Sequence, residues 1–183
     1  MDRERRRMKE WIKDILIAAV IAILVITFIK PTIVKEHSME PNVNENDYLF
    51  ISKQSYKLFG EPQRGDVVVV HSSLVQENGD EKLLIKRIIG LPGDRLDILD
   101  GEVFINGEKL DESYTKEGYT NGEIRNLIIP EGQIFCMGDN RKASLDSRSP
   151  EVGCVDIDAI VGKAVFRLYP FDAIGTLENP YEE

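Results

Sequence analysis

The stretch LLIKRIIGLPGD, residues 83–94, is the most informative part of this sequence. It is apolar up to its glycines and proline except at Lys86 and Arg87, a pattern that predicts a buried or half-buried strand followed by a turn. Side chains alternate between the faces of a strand, so Lys86 shares its face with Leu84 and Ile88. Burial disfavours a charged amine, so we expect a lowered pKa for Lys86 and the ability to act as a general base.

The pattern around Lys86 has a second explanation, a lysine on an edge strand whose long side chain reaches the solvent. On this stretch alone, that explanation is the more common one. The choice between the two depends on whether the rest of the chain supplies a group that could use a neutral lysine.

The composition narrows the class of protein. A length of 183 residues suits one domain with a sizeable core, and a net charge of -9 argues against nucleic acid as a partner of the main body. The only cysteines, Cys136 and Cys154, and the only histidines, His37 and His71, have no metal-binding spacing, so we predict no metal and no cofactor. The cysteines could pair outside the cell or remain as two buried thiols.

An apolar run, ILIAAVIAILVITFI at residues 15–29, follows a strongly basic start. Extended by its apolar neighbours, it can cross a bilayer core of about 30 Å, and the basic residues place the N-terminus in the cytoplasm. A cleaved signal peptide begins in the same way, but Lys30 and Pro31 follow instead of a small-x-small cleavage site. The predicted segments are a basic cytoplasmic part at 1–14, a single transmembrane anchor at 15–31 and an extracytoplasmic domain at 32–183.

The domain after the anchor is predicted to be mostly β. Short apolar stretches between glycine and proline turns are typical of a barrel or sandwich, and the Asp-Gly pair at 100–101 and the Asn-Gly pair at 106–107 predict tight turns. Residues 72–82 are predicted to form a polar loop and residues 108–125 a flexible insertion. The predicted strands cover residues 47–51, 67–70, 83–89, 95–99, 102–105, 133–137 and 161–169, with a short helix within 53–59.

Two polar segments could supply further chemistry. Ser38 lies in EHSMEP, residues 36–41, where the proline favours an extended conformation before it. We do not expect His37 to take the proton of Ser38, because neighbouring residues of an extended segment point in opposite directions; an ordinary turn serine is the alternative. The loop GDNRKASLDSR, residues 138–148, carries Asp and Arg that can pair and fix its shape, or simply form a solvated turn with weak ion pairs.

Four segments stand in series behind the predicted anchor, SMEP at 38–41, RGDVV at 64–68, KRIIGLPGD at 86–94 and GDNRKASLDSR at 138–148. In this order they resemble the type I signal peptidases, the bacterial leader peptidase family of Ser/Lys proteases, in the compact form common in Gram-positive bacteria. The resemblance implies a signal-peptidase-like β fold with a single N-terminal transmembrane helix. It also implies a membrane-anchored serine endopeptidase that removes signal peptides with small residues before the cut.

The resemblance further implies roles for individual residues. Ser38 matches the nucleophile and Lys86 the general base, which a serine needs because it is otherwise a poor nucleophile. Ser144 matches the serine that forms a hydrogen bond with this lysine and orients it. The residues that match the supporting groups are Arg87, Asp139, Arg141, Asp146 and Arg148. The residues that match the pocket region for the substrate are Val34, Met39, Val43, Leu84 and Ile85.

The sequence departs from the family pattern near the nucleophile. The backbone N–H of Ser38 matches one donor to the oxyanion, and family members have Ser, Thr or Gly two residues earlier. This chain has Glu36 there. A carboxylate would repel the oxyanion, so we expect Glu36 to point away from it. After Pro41, the residues Asn42 and Val43 replace the usual Thr-Leu.

Two other functions fit parts of the sequence. A non-catalytic β binding module on a membrane stalk would explain the fold and the anchor, but it has no use for a buried lysine with a matching serine. A self-cleaving repressor relative shares the Ser/Lys β fold, but the anchor and the absence of a DNA-binding domain argue against it. The expected partners are secretory preproteins and membrane lipid, and not nucleic acid.

Overall fold

The computed structural model describes residues 2–58, 60–75, 79 and 81–182. A long N-terminal helix, α1 (Asp2–Phe28), leads into a β domain that also contains a short helix, α2 (Ser55–Leu58). The strands are β1 (Ile29–Ile33), β2 (Tyr48–Ser52), β3 (Val67–Val75), β4 (Glu81–Gly90), β5 (Arg95–Leu99), β6 (Glu102–Ile105), β7 (Glu108–Lys109), β8 (Ile124–Ile128), β9 (Gln133–Met137), β10 (Val155–Asp156), β11 (Ile160–Tyr169) and β12 (Gly175–Thr176).

These strands form two sheets within the described residues. The larger sheet has the order β1-β2-β11-β3-β4-β9-β10, with β12 added to β11, and the smaller sheet has the order β7-β6-β5-β8. Neighbouring strands are antiparallel throughout. The prediction of a mostly β protein is confirmed.

Strand ends agree with the sequence pattern where a clear turn follows. The strands predicted at 95–99 and 102–105 have the predicted ends, and Asp100 and Gly101 between them have φ values of 53° and 85°, as a tight hairpin turn requires. The bounds of the polar loop predicted at 72–82 are wrong, because β3 continues to Val75 and β4 begins at Glu81.

Strand β4 lies between β3 and β9 and positions the candidate site. Val68 of β3 pairs with Lys86, and Met137 of β9 pairs with Arg87. Because β9 joins β4 only from Arg87 onward, no described strand pairs with the other edge of β4 over residues 81–85. Such an edge presents unpaired N–H and C=O groups.

The two faces of β4 enter different parts of the core. Leu84 and Ile88 belong to one cluster of buried side chains, whereas Ile85 packs against a second cluster that contains Val34 and Met39. A third cluster joins the smaller sheet to β4 and β9. The alternation predicted for this strand is therefore confirmed.

Helix α1 covers most of the predicted anchor and ends at Phe28, where β1 begins without a linker. The N–H of Lys53 donates to Phe28 O at 3.0 Å, and Ile29 pairs with Ser52, so the end of the helix is tied to β2. Residues 29–31 of the predicted anchor lie in β1. Among the described residues, no helix has both the length and the apolar character needed to cross a membrane. The transmembrane assignment stays a prediction.

The segment predicted as a flexible insertion, residues 108–125, contains β7 at one end and the start of β8 at the other. Between them, the Arg141 guanidinium donates hydrogen bonds to Glu112 at 2.5 Å and to Thr120. These bonds pack the segment against the loop 138–148. Its mobility stays a prediction.

Candidate active site

Ser38 and Lys86 are 48 positions apart in the sequence and meet in the fold. Lys86 Nζ lies 2.7 Å from Ser38 Oγ and donates a hydrogen bond to Ile85 O at 3.0 Å. Lys86 is 1% exposed and Ser38 is 5% exposed. The fold thus brings together, away from bulk solvent, the two residues that match the nucleophile and the base.

The surroundings of Lys86 favour its neutral form. Burial lowers the pKa of Lys86 and outweighs the negative charges of Asp146 and Glu36, which favour the ammonium form. A neutral amine at this distance can accept the proton of the serine hydroxyl. The alternative of a lysine that reaches solvent is wrong, because the side chain is buried.

The loop 138–148 holds the backbone on both sides of Ser38. Asn140 donates from its backbone N–H to Ser38 O at 3.0 Å and from its side-chain Nδ2 to His37 O at 3.1 Å. The N–H of Ala143 donates in turn to the carbonyl oxygen of Asn140. Asn140 was not among the residues predicted to support the site, although an Asp-Asn pair directly after a strand indicates a shaped turn.

His37 pairs with acidic side chains rather than with Ser38. Its Nδ1 lies 2.6 Å from Glu40 Oε1 and its Nε2 lies 3.8 Å from Glu45 Oε2. Hydrogen bonds from Lys116 and His37 lower the pKa of the Glu40 carboxyl. This arrangement agrees with the expectation that His37 is not the base.

Gly138 allows a close approach between Ser144 and Ser38. A Cβ on Gly138 would lie 2.3 Å from Ser144 Oγ and 2.3 Å from Ser38 O, so a side chain does not fit there. Ser144 Oγ is buried and has no hydrogen-bond partner among the described residues. The hydrogen bond to Lys86 that the family resemblance implies is therefore not made. Ser144 also helps to lower the pKa of Asp146, although no hydrogen bond of normal geometry joins them.

Asp146 and Arg148 form the bidentate pair expected from their spacing. Arg148 Nε and Nη2 donate to Asp146 Oδ1 and Oδ2, each at 2.8 Å, and the N–H of Gly138 donates to Oδ2 at 3.0 Å. Burial raises the pKa of Asp146, but the hydrogen bonds and charge of Arg148 outweigh it and hold the pKa below its usual range. The carboxylate thus stays ionised and acts on the charge state of Lys86.

Asp139 pairs with Arg87 rather than with Arg141. Arg87 Nε and Nη2 donate to the Asp139 carboxylate at 2.9 and 2.7 Å, and the side chains of the two residues are 3% and 0% exposed. Asn42, on the segment that carries the nucleophile, also donates to Asp139 at 2.8 Å. Arg141 forms its ion pair with Glu112. The supporting residues therefore link β4, the loop 138–148 and the segment after Ser38.

A groove of about 320 Å³ opens beside Ser38, and Val34, Met39 and Ile85 of the predicted substrate residues line it. Val43 and Leu84 are not among its described lining residues. Val43 is buried in the core, and Leu84 faces the opposite side of β4 from Ile85 because neighbouring strand residues alternate. The other lining residues are Thr32, Ile33, Lys35, Glu36, Val69, Lys82 and Leu83.

Glu36, the residue that departs from the family pattern, forms an ion pair with Lys82. Lys82 Nζ lies 2.5 Å from Glu36 Oε1. The carboxylate is therefore directed at a cation on β4, which agrees with the expectation that it points away from an oxyanion at Ser38.

The cysteines do not form a disulfide in this structure. Cys136 is buried in the same cluster as Ile88, whereas Cys154 packs against the cluster that joins the two sheets. Burial raises the pKa of both thiols. The structure favours the interpretation of two unreactive thiols.

The chain is similar to known signal peptidases over most of its length. The family model described as "Signal peptidase, peptidase S26" matches residues 8–169. The chain is 36% identical to a signal peptidase I of Bacillus licheniformis, over 93% of this chain and 94% of the relative, and 34% identical to a signal peptidase IB of Staphylococcus aureus, over 96% and 97%. A solved signal peptidase I from Enterococcus faecalis is 30% identical over 56% of this chain and 96% of that chain, with a TM-score of 0.47.

The relatives and the family model thus cover nearly the whole chain, including every segment that contributes to the site around Ser38 and Lys86. On this basis, the chain belongs to the signal peptidase family, peptidase S26.

Proposed function

We propose that this chain is a membrane-anchored serine endopeptidase that cleaves signal peptides from exported preproteins, with Ser38 as the nucleophile and Lys86 as the general base. The observation that carries the proposal is the distance of 2.7 Å between Ser38 Oγ and the buried Lys86 Nζ. Neutral Lys86 takes the hydroxyl proton as Oγ attacks the peptide carbonyl, and it returns this proton to the leaving amine. Water, activated by the same amine, then hydrolyses the acyl-enzyme.

The free edge of β4 supports the binding of an extended peptide. Residues 81–85 have no strand partner on that edge among the described residues, and a peptide can add there as a further strand. The groove beside this edge has walls of apolar side chains, including Val34, Met39 and Ile85. These apolar walls suit the small apolar side chains before the cut in the substrates that the family resemblance implies.

A cleavage assay tests this function directly. The purified full-length protein is incubated in detergent with a preprotein, and the cut is mapped by mass spectrometry. We expect one cut after a small-x-small sequence, and no cut with the Ser38→Ala variant. An absence of cutting by the wild type, beside an active control enzyme, would favour the non-catalytic binding module.

Ser144→Ala should lower kcat more than it raises KM. Ser144 Oγ is buried beside Ser38 without a hydrogen-bond partner in the described residues, and an unpaired buried hydroxyl is unfavourable. We propose that it orients Lys86 during the reaction. Removal of the hydroxyl should then slow the chemical step and lower kcat. The expected decrease in kcat is roughly tenfold to a thousandfold, since general-base catalysis contributes about 10²–10⁴. Ser113→Ala in an exposed loop is the control, and an unchanged kcat for Ser144→Ala would remove Ser144 from the mechanism.

The membrane topology gives a separate prediction. The basic start and the apolar run at 15–29 support an anchor with a cytoplasmic N-terminus, and Ile15 and Ile23 of α1 are 63% and 64% exposed in the isolated chain. Protease added outside intact cells or right-side-out vesicles should therefore digest the domain after residue 31. Protection of that domain until the membrane is broken would show the opposite orientation.

A further inference from the structure

One ion pair joins the two walls of the groove. Glu36 belongs to the segment after β1, Lys82 belongs to the free edge of β4, and their charged atoms are 2.5 Å apart. The side chains are 46% and 37% exposed. A pair with this exposure contributes little to stability, so either partner can exchange the other for a charge on a bound peptide.

The polar part of the groove has an excess of positive charge. Lys35 also lines the groove and takes part in none of the ion pairs found in the described part of the chain. Among the charged residues that line the groove, Lys35, Lys82 and Glu36 therefore leave one uncompensated positive charge. A positive local potential favours a negatively charged group in a ligand.

We propose that Lys35, Glu36 and Lys82 select the charge of one substrate side chain, and that they favour an acidic side chain over a basic one where the peptide passes between the groove walls. This inference rests on the proposed function, because it takes the groove as the peptide site. A substrate carboxylate meets two lysines and one glutamate, whereas a substrate amine meets two like charges and one opposite charge. An uncharged side chain leaves the Glu36–Lys82 pair intact.

Cleavage of matched substrates tests this selection. The full-length protein in detergent is given preproteins that differ in one side chain, Asp, Asn or Lys, at each successive position near the cut, and kcat/KM is measured. At one position, we expect Asp to exceed Asn and Asn to exceed Lys by about twofold to fivefold each, the range of one exposed ion pair. The preference should disappear in about 1 M salt, where the screening length is only about 3 Å.

Two variants should shift the preference in opposite directions. Lys82→Met leaves Glu36 opposed only by Lys35, so the preference should move toward the Lys substrate. Glu36→Gln removes the only acidic side chain of the three, so the preference for Asp should increase. Lys109→Met is the matched control, because Lys109 and Glu102 form a pair of the same 2.5 Å length on the smaller sheet.

The outcomes separate this inference from the proposed function. If the wild type cuts no substrate, the proposed function fails. If it cuts all substrates equally at every position, or if both groove variants shift the preference in the same direction, only the charge selection is overturned. All three substitutions are at partly exposed positions, and circular dichroism and thermal unfolding verify that the variants are folded.

Discussion

Lys86→Arg should give a folded protein that is close to inactive. Arginine keeps the positive charge and the hydrogen-bond donors, but it is effectively never deprotonated in a protein and cannot accept the proton of Ser38. Lys86 is the proposed base because its amine lies 2.7 Å from Ser38 Oγ and its side chain is buried. We expect kcat for preprotein cleavage to fall by about 10²–10⁴, the usual contribution of a general base.

The pH dependence of the wild type provides the complementary measurement. Because burial lowers the pKa of Lys86, kcat/KM should rise with pH as the amine loses its proton, with an apparent pKa well below the value of about 10.4 for free lysine. A well-folded Lys86→Arg protein that cuts at nearly the wild-type rate would contradict the Ser38–Lys86 mechanism.

Gly138→Ala should cause the second large loss. The new Cβ would lie 2.3 Å from Ser38 O, which is a backbone atom and cannot yield by a side-chain rotation, and 2.3 Å from Ser144 Oγ. Relief of this clash requires a shift of the neighbouring groups, which include the backbone of the nucleophile. A misplacement of the nucleophile by about 1 Å can cost about 10² in rate. We therefore expect kcat to fall by about a hundredfold or more, measured with the same preprotein.

Gly175→Ala is the matched control for this substitution. A Cβ at Gly175 meets no atom within 4 Å, so this variant should keep its activity. Overpacking at Gly138 is expected to destabilise the fold by about 1–3 kcal/mol, and thermal unfolding checks that the protein remains folded. A folded Gly138→Ala protein with normal kcat would show that the close packing of Gly138 against Ser144 and the nucleophile segment is not needed.

The strand around Lys86 was predictable because its information is local. An apolar run that ends in glycine and proline predicts the strand, and alternation predicts which side chains accompany Lys86. The position of Ser38 beside Lys86 is different in kind, because no spacing rule connects residues 48 positions apart. Only the series of four family segments pointed to that contact.

The partners of the supporting residues could not be predicted from spacing. Asp139 binds Arg87 across 52 positions, and Arg141 binds Glu112 across 29. Each arginine has several possible carboxylates. The sheet pairing of β4 with β9 brings Asp139 near Arg87, whereas the packing of the segment 108–125 on the loop 138–148 brings Glu112 near Arg141. Asn140 was not predicted for the same reason. Its hydrogen-bond acceptors, Ser38 O and His37 O, are distant from it in the sequence and become its neighbours only in the fold.

The strands that were not predicted from the sequence lack a clear pattern of apolar residues. Strand β1 contains Lys30 and Pro31 directly after the apolar run, and β8 contains Arg125 and Asn126, whose φ is 52°. Strands at the edge of a sheet or with one face in solvent tolerate such residues, because their stability depends on neighbouring strands more than on their own propensity. The polar end of β3 was missed for this reason as well.

Strand β1 follows α1 directly, and this limits which peptide bonds of a preprotein Ser38 can reach. Phe28 is tied to Lys53, and Val34 exchanges backbone hydrogen bonds with Asn46 and Asp47, so the chain between helix and nucleophile has fixed contacts along its path. In the proposed membrane orientation, these contacts hold Ser38 at a constant height above the bilayer. A preprotein held in the same bilayer would be cut at the bond that it presents at this height, and distance from the lipid would discriminate between bonds whose flanking side chains are the same.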